Sequence, residues 1–141
     1  KIIEAKIKNK NKVICGYSEI SNDINPKSNS IPKVVMNEKN ELIYISRSLI
    51  PGSKKKLTKY NKQVCIYAFN KEELNLFRNF KRKSKIEYLE DIEILRFYEF
   101  NKKILMVKTS GNSIAVDYPI DIKKVEKKLL KNDKKIRSKS K

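Results

Sequence analysis
The stretch Gln63-Val64-Cys65-Ile66-Tyr67-Ala68-Phe69-Asn70-Lys71-Glu72-Glu73 changes its hydrophobic rhythm halfway along. Residues 64–69 form a short, nearly continuous apolar run, which predicts a buried strand. Asn70 is a good N-cap for a helix over 71–80. Glu72 and Glu73 fall in its first turn, where the positive end of the helix dipole favours acids. A second helix is expected to open at the capping box Ser84-x-x-Glu87 and to run to about Phe100. Further strands are expected at 103–108 and 114–117, around a turn at 109–113. A last helix over 119–131 carries Pro119 near its first turn, where a missing N–H costs little. Strands alternating with helices place the chain in the α/β class, or in a mixed-sheet relative of it.

Upstream of that stretch the pattern turns to β. Residues 13–17 read as a strand, with Gly16 inside or ending it, after a weak helical pattern at 2–8. The Ser, Asn, Asp and Pro of residues 21–32 mark a loop. Two strand-like runs, 33–36 and 42–46, flank Asn37-Glu38-Lys39-Asn40 and suit a hairpin. Pro51-Gly52-Ser53 ends the pattern, and 54–61 is a basic, exposed loop. Residues 1–130 are read as one folded body, and the lysine-rich 131–141 as a disordered tail. The chain opens on Lys1, which leaves room for sequence before it.

Composition removes several kinds of chemistry. The chain has 141 residues and no histidine, so Ser-His and Cys-His catalysis and histidine-bound zinc are excluded. Chemistry must run on carboxylates, Lys, Arg, Tyr and a hard metal such as magnesium. Cys15 and Cys65 lack the close paired spacing of a metal site and are read as reduced core thiols of a cytoplasmic protein. No apolar span reaches the about 20 residues a membrane helix needs, and residues 1–12 hold no signal-peptide stretch. A net charge of +18 invites a nucleic-acid reading. However, only five of the 34 basic residues are arginine, the residue that reads bases and grips phosphates bidentately.

Four places exceed what a plain core or surface requires. Along 44–47, alternation puts Tyr44 and Ser46 on one strand face and Ile45 and Arg47 on the other. Arg47, at the strand's end, suits a carboxylate partner, either a ligand or a nearby Glu. Gln63, Cys65 and Tyr67 give the next strand a polar edge. Glu87, Glu90 and Glu93 repel at successive i,i+3 steps, each costing about 0.2–0.5 kcal/mol, so a cation or hydroxyls should face Glu90 or Glu93. Asp117 stands where a strand gives way to a helix, as a ligand-facing group or as a helix cap.

In this order the four places resemble the second half of the sugar-acid cytidylyltransferases, of the CMP-Kdo synthetase and acylneuraminate cytidylyltransferase type. Lys33-Val34-Val35, Tyr44-Ile45-Ser46-Arg47 and Ile50-Pro51 resemble the family segment K-V-V, Y-F-S-R, I-P. Residues 63–69 resemble H-I-G-I-Y-A-Y, and residues 87–96 resemble E-x-x-E-x-L-E-Q-L-R. Residues 116–125 resemble V-D-T-P-E-D-L-x-x-V, so the likeness extends from about residue 32 to 130. It implies the C-terminal, sugar-binding portion of a Rossmann-like nucleotidyltransferase fold with a mixed sheet. The implied enzyme is a cytoplasmic homodimer of lipopolysaccharide biosynthesis. It joins CTP to a 2-keto-3-deoxy sugar acid, Kdo first and a sialic or other nonulosonic acid next, and releases pyrophosphate.

By the same resemblance Asp117 would hold Mg2+ and Arg47 would bind the acid's carboxylate. Gln63, Tyr67, Glu90 and Glu93 would line the sugar pocket. Three positions depart from the family pattern: Gln63 replaces its histidine, Ile94 its glutamine and Tyr118 its threonine. The family's P-A-R-x-x-S-x-R-x-P-x-K segment, which cradles the CTP phosphates, and its Q-G-D-E-P segment do not occur here. The expectation is that the CTP-binding half of the enzyme is the partner of this chain, which is inactive alone. A basic nucleic-acid- or ribosome-associated domain is the alternative.

Overall fold
The computed structural model describes residues 1–55, 59–110 and positions 116, 119, 122, 123, 125–127, 129 and 130. Lys1–Gly111 forms one compact unit and Asn112–Lys141 a second. In the second unit the described positions between 119 and 130 are helical. Asp117, most of the strand expected at 114–117 and the tail at 131–141 lie outside the described residues.

The first unit is built on a five-stranded mixed sheet. Its strands are β1 (Val13–Glu19), β2 (Lys33–Met36), β3 (Leu42–Ser46), β4 (Asn61–Ala68) and β5 (Ile104–Lys108). Their spatial order is β3-β2-β4-β1-β5. Only β1 and β5 pair in parallel; the other neighbours are antiparallel. Helix α1 (Ile2–Lys8) precedes β1. Helices α2 (Lys71–Asn79) and α3 (Lys85–Glu90) and a 3-10 helix (Glu93–Phe100) form the crossover to β5. The α/β class with a mixed sheet is as the sequence implies.

Local chemistry explains most of these elements. The β2–β3 hairpin turns on Asn37, whose side chain accepts from the N–H groups of Lys39 (3.0 Å) and Glu41 (2.8 Å). Asn40 then takes a left-handed φ of 57°, which Asn tolerates. Both α2 and α3 open with complete capping boxes, Asn70 with Glu73 and Ser84 with Glu87. The core lies between the sheet and the crossover. Val13, Cys15, Val34, Ile45, Ile104 and Met106 from the strands meet Ile94, Leu95 and Phe97 of the 3-10 helix. Among the described residues no helix is long and apolar enough to cross a membrane.

Three expectations are corrected here. Strand β4 is not buried throughout: Gln63 is its one buried residue, and Cys65 and Ile66 are exposed. Cys65 is therefore not a core thiol, whereas Cys15 is, and burial pushes the Cys15 thiol up to about 12. The cause is a bulge. Cys15 pairs with Tyr67 but Gly16 pairs with Val64, so Cys65 and Ile66 are left over and swing out of the ladder. The third correction is the long helix from Ser84. It stops at Glu90, because Asp91 takes a left-handed φ of 51° and Ile92 is extended before the 3-10 helix begins.

Gly16 is what the bulge requires. A Cβ there would lie 2.5 Å from Ile66 Cγ2 and 3.1 Å from the Val64 carbonyl oxygen. Gly16→Ala is expected to lower stability by about 1–3 kcal/mol, since overpacking forces the neighbours to shift. The half-exposed Ile66 can be trimmed at little cost, so Gly16→Ala/Ile66→Ala should recover most of the loss in thermal unfolding. A single variant as stable as the parent would contradict the bulge.

Candidate functional site
The residues singled out from sequence fall into two groups, on either side of the break at Asp91. The first group joins the end of β3 to the end of α3. The Glu90 carboxylate accepts from Ser46 Oγ (2.7 Å), Tyr44 Oη (3.2 Å) and the backbone N–H of Arg47 (2.8 Å). Tyr44 and Ser46 do share a strand face, and the hydroxyls expected opposite Glu90 or Glu93 stand opposite Glu90. Burial alone would push the Glu90 carboxyl up. These donors and the Arg47 charge outweigh it and hold the group below its ordinary value.

The Arg47 guanidinium points at backbone rather than at a carboxylate. Nε donates to the Glu90 carbonyl (2.7 Å), Nη2 to the Asp91 carbonyl (3.2 Å) and Nη1 to the Asn29 carbonyl (3.1 Å). Arg47 thus caps the open C-terminus of α3, where carbonyls lack intrahelical partners. It also stabilises the left-handed turn that follows. Behind it, the buried Lys33 ammonium donates to the carbonyls of Ser28 (3.0 Å) and Arg47. Burial first, and then the neighbouring Arg47 charge, push Lys33 below its ordinary value, while Glu90 opposes them.

The second group surrounds a cavity of about 390 Å³ lined by Cys65, Tyr67, Phe69, Leu74, Phe77, Glu93, Ile94 and Phe97. Strand β4 and the residue after it form one wall, α2 the second and the 3-10 helix the third. Buried Gln63 anchors the first wall, with its Nε2 donating to Tyr67 Oη at 2.7 Å. In a regular strand, residues four apart lie about 13 Å apart; the bulge at Cys65 and Ile66 helps carry this pair together. Burial pushes the Tyr67 phenol well above its ordinary value, and the nearby Cys65, Cys15 and Glu93 add to the effect. Tyr67 therefore stays a neutral hydrogen-bond donor. Phe69 stacks on Phe97 (5.4 Å between centroids) and Phe77 tilts against it (5.7 Å), which makes the floor rigid. A larger, open hollow of about 560 Å³ beside α1 and the start of α2 is not lined by any of the anticipated site residues.

Tyr67, held by Gln63, and Glu93 thus meet at one cavity, and Arg47 and Glu90 meet at the end of α3. Glu90 and Glu93 do not share a helix face as expected; the kink at Asp91 turns the first towards β3 and the second towards the cavity. Lys33 and Phe77 were missed as site residues by the sequence reading, and Cys65, placed on the strand's polar edge, was read as a core thiol rather than as part of a cavity wall. Of the two missed, Lys33 had a visible signal, a lysine opening an otherwise apolar strand run. Among the described residues no group of three or more Asp, Glu, Cys or His could hold a metal ion. Asp117, the Mg2+ ligand that the resemblance implies, lies outside those residues.

No protein-family model matches the chain. Over 109 residues it is 34% identical to the 3-deoxy-manno-octulosonate cytidylyltransferase of Nitratiruptor sp., covering 77% of this chain and 45% of that protein. The enzyme of the same name from Chlamydia pneumoniae is 40% identical over 95 residues, covering 67% of this chain and 37% of that protein. Among solved structures, CMP:2-keto-3-deoxy-manno-octonic acid synthetase complexed with CTP superposes with a TM-score of 0.82 at 25% identity. It covers 93% of this chain and 54% of that one. The chain therefore spans about half the length of the relatives it matches. The ordered motifs, the mixed sheet and these likenesses place it in the 3-deoxy-manno-octulosonate cytidylyltransferase family, with its α/β nucleotidyltransferase-like fold.

Proposed function
We propose that this chain is the sugar-acid-binding half of a cytidylyltransferase that transfers CMP from CTP to a 2-keto-3-deoxy sugar acid and releases pyrophosphate. The observation that carries this reading is the convergence of Tyr67, Gln63 and Glu93 on a rigid-floored cavity in a chain of that family. Tyr67 supplies a neutral O–H held in place by Gln63, and Glu93 supplies an acceptor at the rim. Two such groups on stiff walls orient a sugar so that its anomeric hydroxyl faces the α-phosphorus, and orientation is a large part of the catalytic effect in such transfers. The proposed contact between Arg47 and the acid's carboxylate requires the guanidinium to share itself with the three carbonyls it now serves. Mg2+ is the proposed cofactor, with Asp117 as a ligand, and would neutralise charge on the phosphate oxygens.

Activity is proposed to need a CTP-binding half, assigned to the part of the relatives that this chain does not span, in an assembly built as a homodimer. The test mixes the 141-residue chain with a separately produced CTP-binding half from a relative. CMP transfer to 3-deoxy-manno-octulosonate and to a sialic acid is then followed by pyrophosphate release. Transfer only in the mixture, from a species with the mass of a dimer of both halves, is the expected result. Transfer by the chain alone would remove the claim that it needs a partner. A mixture that assembles but transfers to neither acid would remove the functional reading.

A further inference from the structure
Lys33 opens β2, whose next two residues are Val34 and Val35, and it is 0% exposed. A buried ammonium is costly unless it is paired, and an apolar side chain in that place would avoid the cost. Both hydrogen bonds that Lys33 makes go to uncharged carbonyls, those of Ser28 (3.0 Å) and Arg47. Arg47 in turn donates from Nη1 to the carbonyl of Asn29 (3.1 Å), the residue after Ser28. The two cations therefore hold neighbouring carbonyls of one loop. The ammonium also fixes the main chain from which the guanidinium extends. Three of the five N–H groups of Arg47 go to carbonyls, which leaves one on each terminal nitrogen for a further acceptor.

The charges at this point do not balance. Those that act on Lys33 are Arg47 and Glu90, one positive and one negative. The Glu90 carboxylate is engaged by Tyr44, Ser46 and the main-chain N–H of Arg47. The neighbouring Asp91 carboxylate is paired with Lys83 at 2.8 Å. Lys33, Arg47 and Glu90 together thus carry one positive charge in excess, the complement of a single carboxylate. We propose that Lys33 is a positioning residue for the carboxylate of the sugar acid, acting through Arg47. It holds the main chain of Arg47 and supplies the charge that the incoming acid balances. This inference rests on the reading of Arg47 given above and adds a residue to it. It gives a function to the first residue of the Lys33-Val34-Val35 motif, which the resemblance left without a role.

The test needs no turnover. The 141-residue chain is titrated with 3-deoxy-manno-octulosonate and with its primary carboxamide, which has nearly the same shape and no charge. The parent is expected to prefer the acid. Lys33→Met should reduce that preference about tenfold, the effect of one nearby charge in a partly screened medium. A residue that merely supported the fold would weaken acid and amide alike. If Lys33→Met does not fold, Lys33→Gln, which keeps N–H donors for the carbonyls, takes its place. In the parent, the Lys33 Nζ resonance should shift with the acid and stay in place with the amide, a readout that needs no variant. An undiminished preference in the variant, or an unmoved resonance in a parent that binds the acid, overturns this inference and leaves the proposed function standing. Equal binding of both probes by the parent removes the Arg47 contact and this inference with it. Binding of neither removes the proposed function as well.

Discussion

Replacing Arg96 by methionine is expected to lower the unfolding free energy by about 3–5 kcal/mol, because it strands a buried carboxylate. The Glu87 side chain is only 1% exposed, and Arg96 meets it with Nε (2.6 Å) and Nη2 (2.5 Å). The same guanidinium lies 3.8 Å over the Phe77 ring and donates to the Phe77 carbonyl at 3.3 Å. One side chain thus ties the 3-10 helix to both α2 and α3. Domains of this size have about 5–15 kcal/mol in total, so the variant should show a much lower urea midpoint. Glu87 also accepts from the Ser84 N–H (3.1 Å) in its capping box. For that reason Glu87→Gln, which keeps the shape and loses the charge, is the right second change. The double variant should recover much of the loss, since the cost lies in an unpaired buried charge rather than in the missing pair. A single variant within about 1 kcal/mol of the parent would show that the pair does not form.

The second large effect is expected at Glu90. Glu90→Ala leaves the hydroxyls of Tyr44 and Ser46 and the Arg47 N–H without their shared acceptor. Hydrogen bonds to a charged group are each worth about 1.5–3 kcal/mol, and solvent re-satisfies part of the set, so a loss of about 3 kcal/mol is expected. The pH dependence gives a separate readout. The folded-state pKa of Glu90 is lowered, so its contribution is complete above the unfolded value of about 4.3 and is lost as pH falls through the folded value. Glu87 behaves in the same way, with burial opposed and outweighed by Arg96 and the Ser84 N–H. Glu41, held at about 2 chiefly by Lys12 and Asn37, carries the acid limb lowest. The parent should therefore lose stability steadily from about pH 4.3 towards pH 2, and Glu90→Gln should flatten the upper part of that fall. Equal slopes for parent and variant would show that Glu90 titrates as an exposed acid.

What could be read from the sequence was local, and what could not was set by partners distant in the chain. The capping box of Ser84 with Glu87 and the N-cap at Asn70 were visible because their partners lie three residues away, and the structure completes the second as a box through Glu73. The β2–β3 hairpin was visible in Asn37 and Asn40 for the same reason. The end of α3 was not, because the group that favours stopping there is the Arg47 guanidinium, which approaches from β3. Nor was the bulge, since Cys65 and Ile66 are displaced by the pairing of β4 with β1 and by the bare Cα of Gly16. Long-range ion pairs were equally invisible. Lys6 of α1 reaches both oxygens of the fully buried Glu73 carboxylate, at 2.7 and 2.6 Å, across 67 positions of sequence. For the site, the motifs identified the participants, but only the fold shows that they form two groups.

The hinge at Asp91 gives residue 47 an influence beyond its own reach. Shortening that arginine would loosen the left-handed turn and let Glu93 drift from the rim, although no atom of residue 47 lines the cavity. A variant there can weaken binding at a cavity that residue 47 does not line, through a lever one turn long, over and above any contact it makes with the acid's carboxylate. Affinity and contact are separable properties in this molecule, and the joint between two short helices is where they separate.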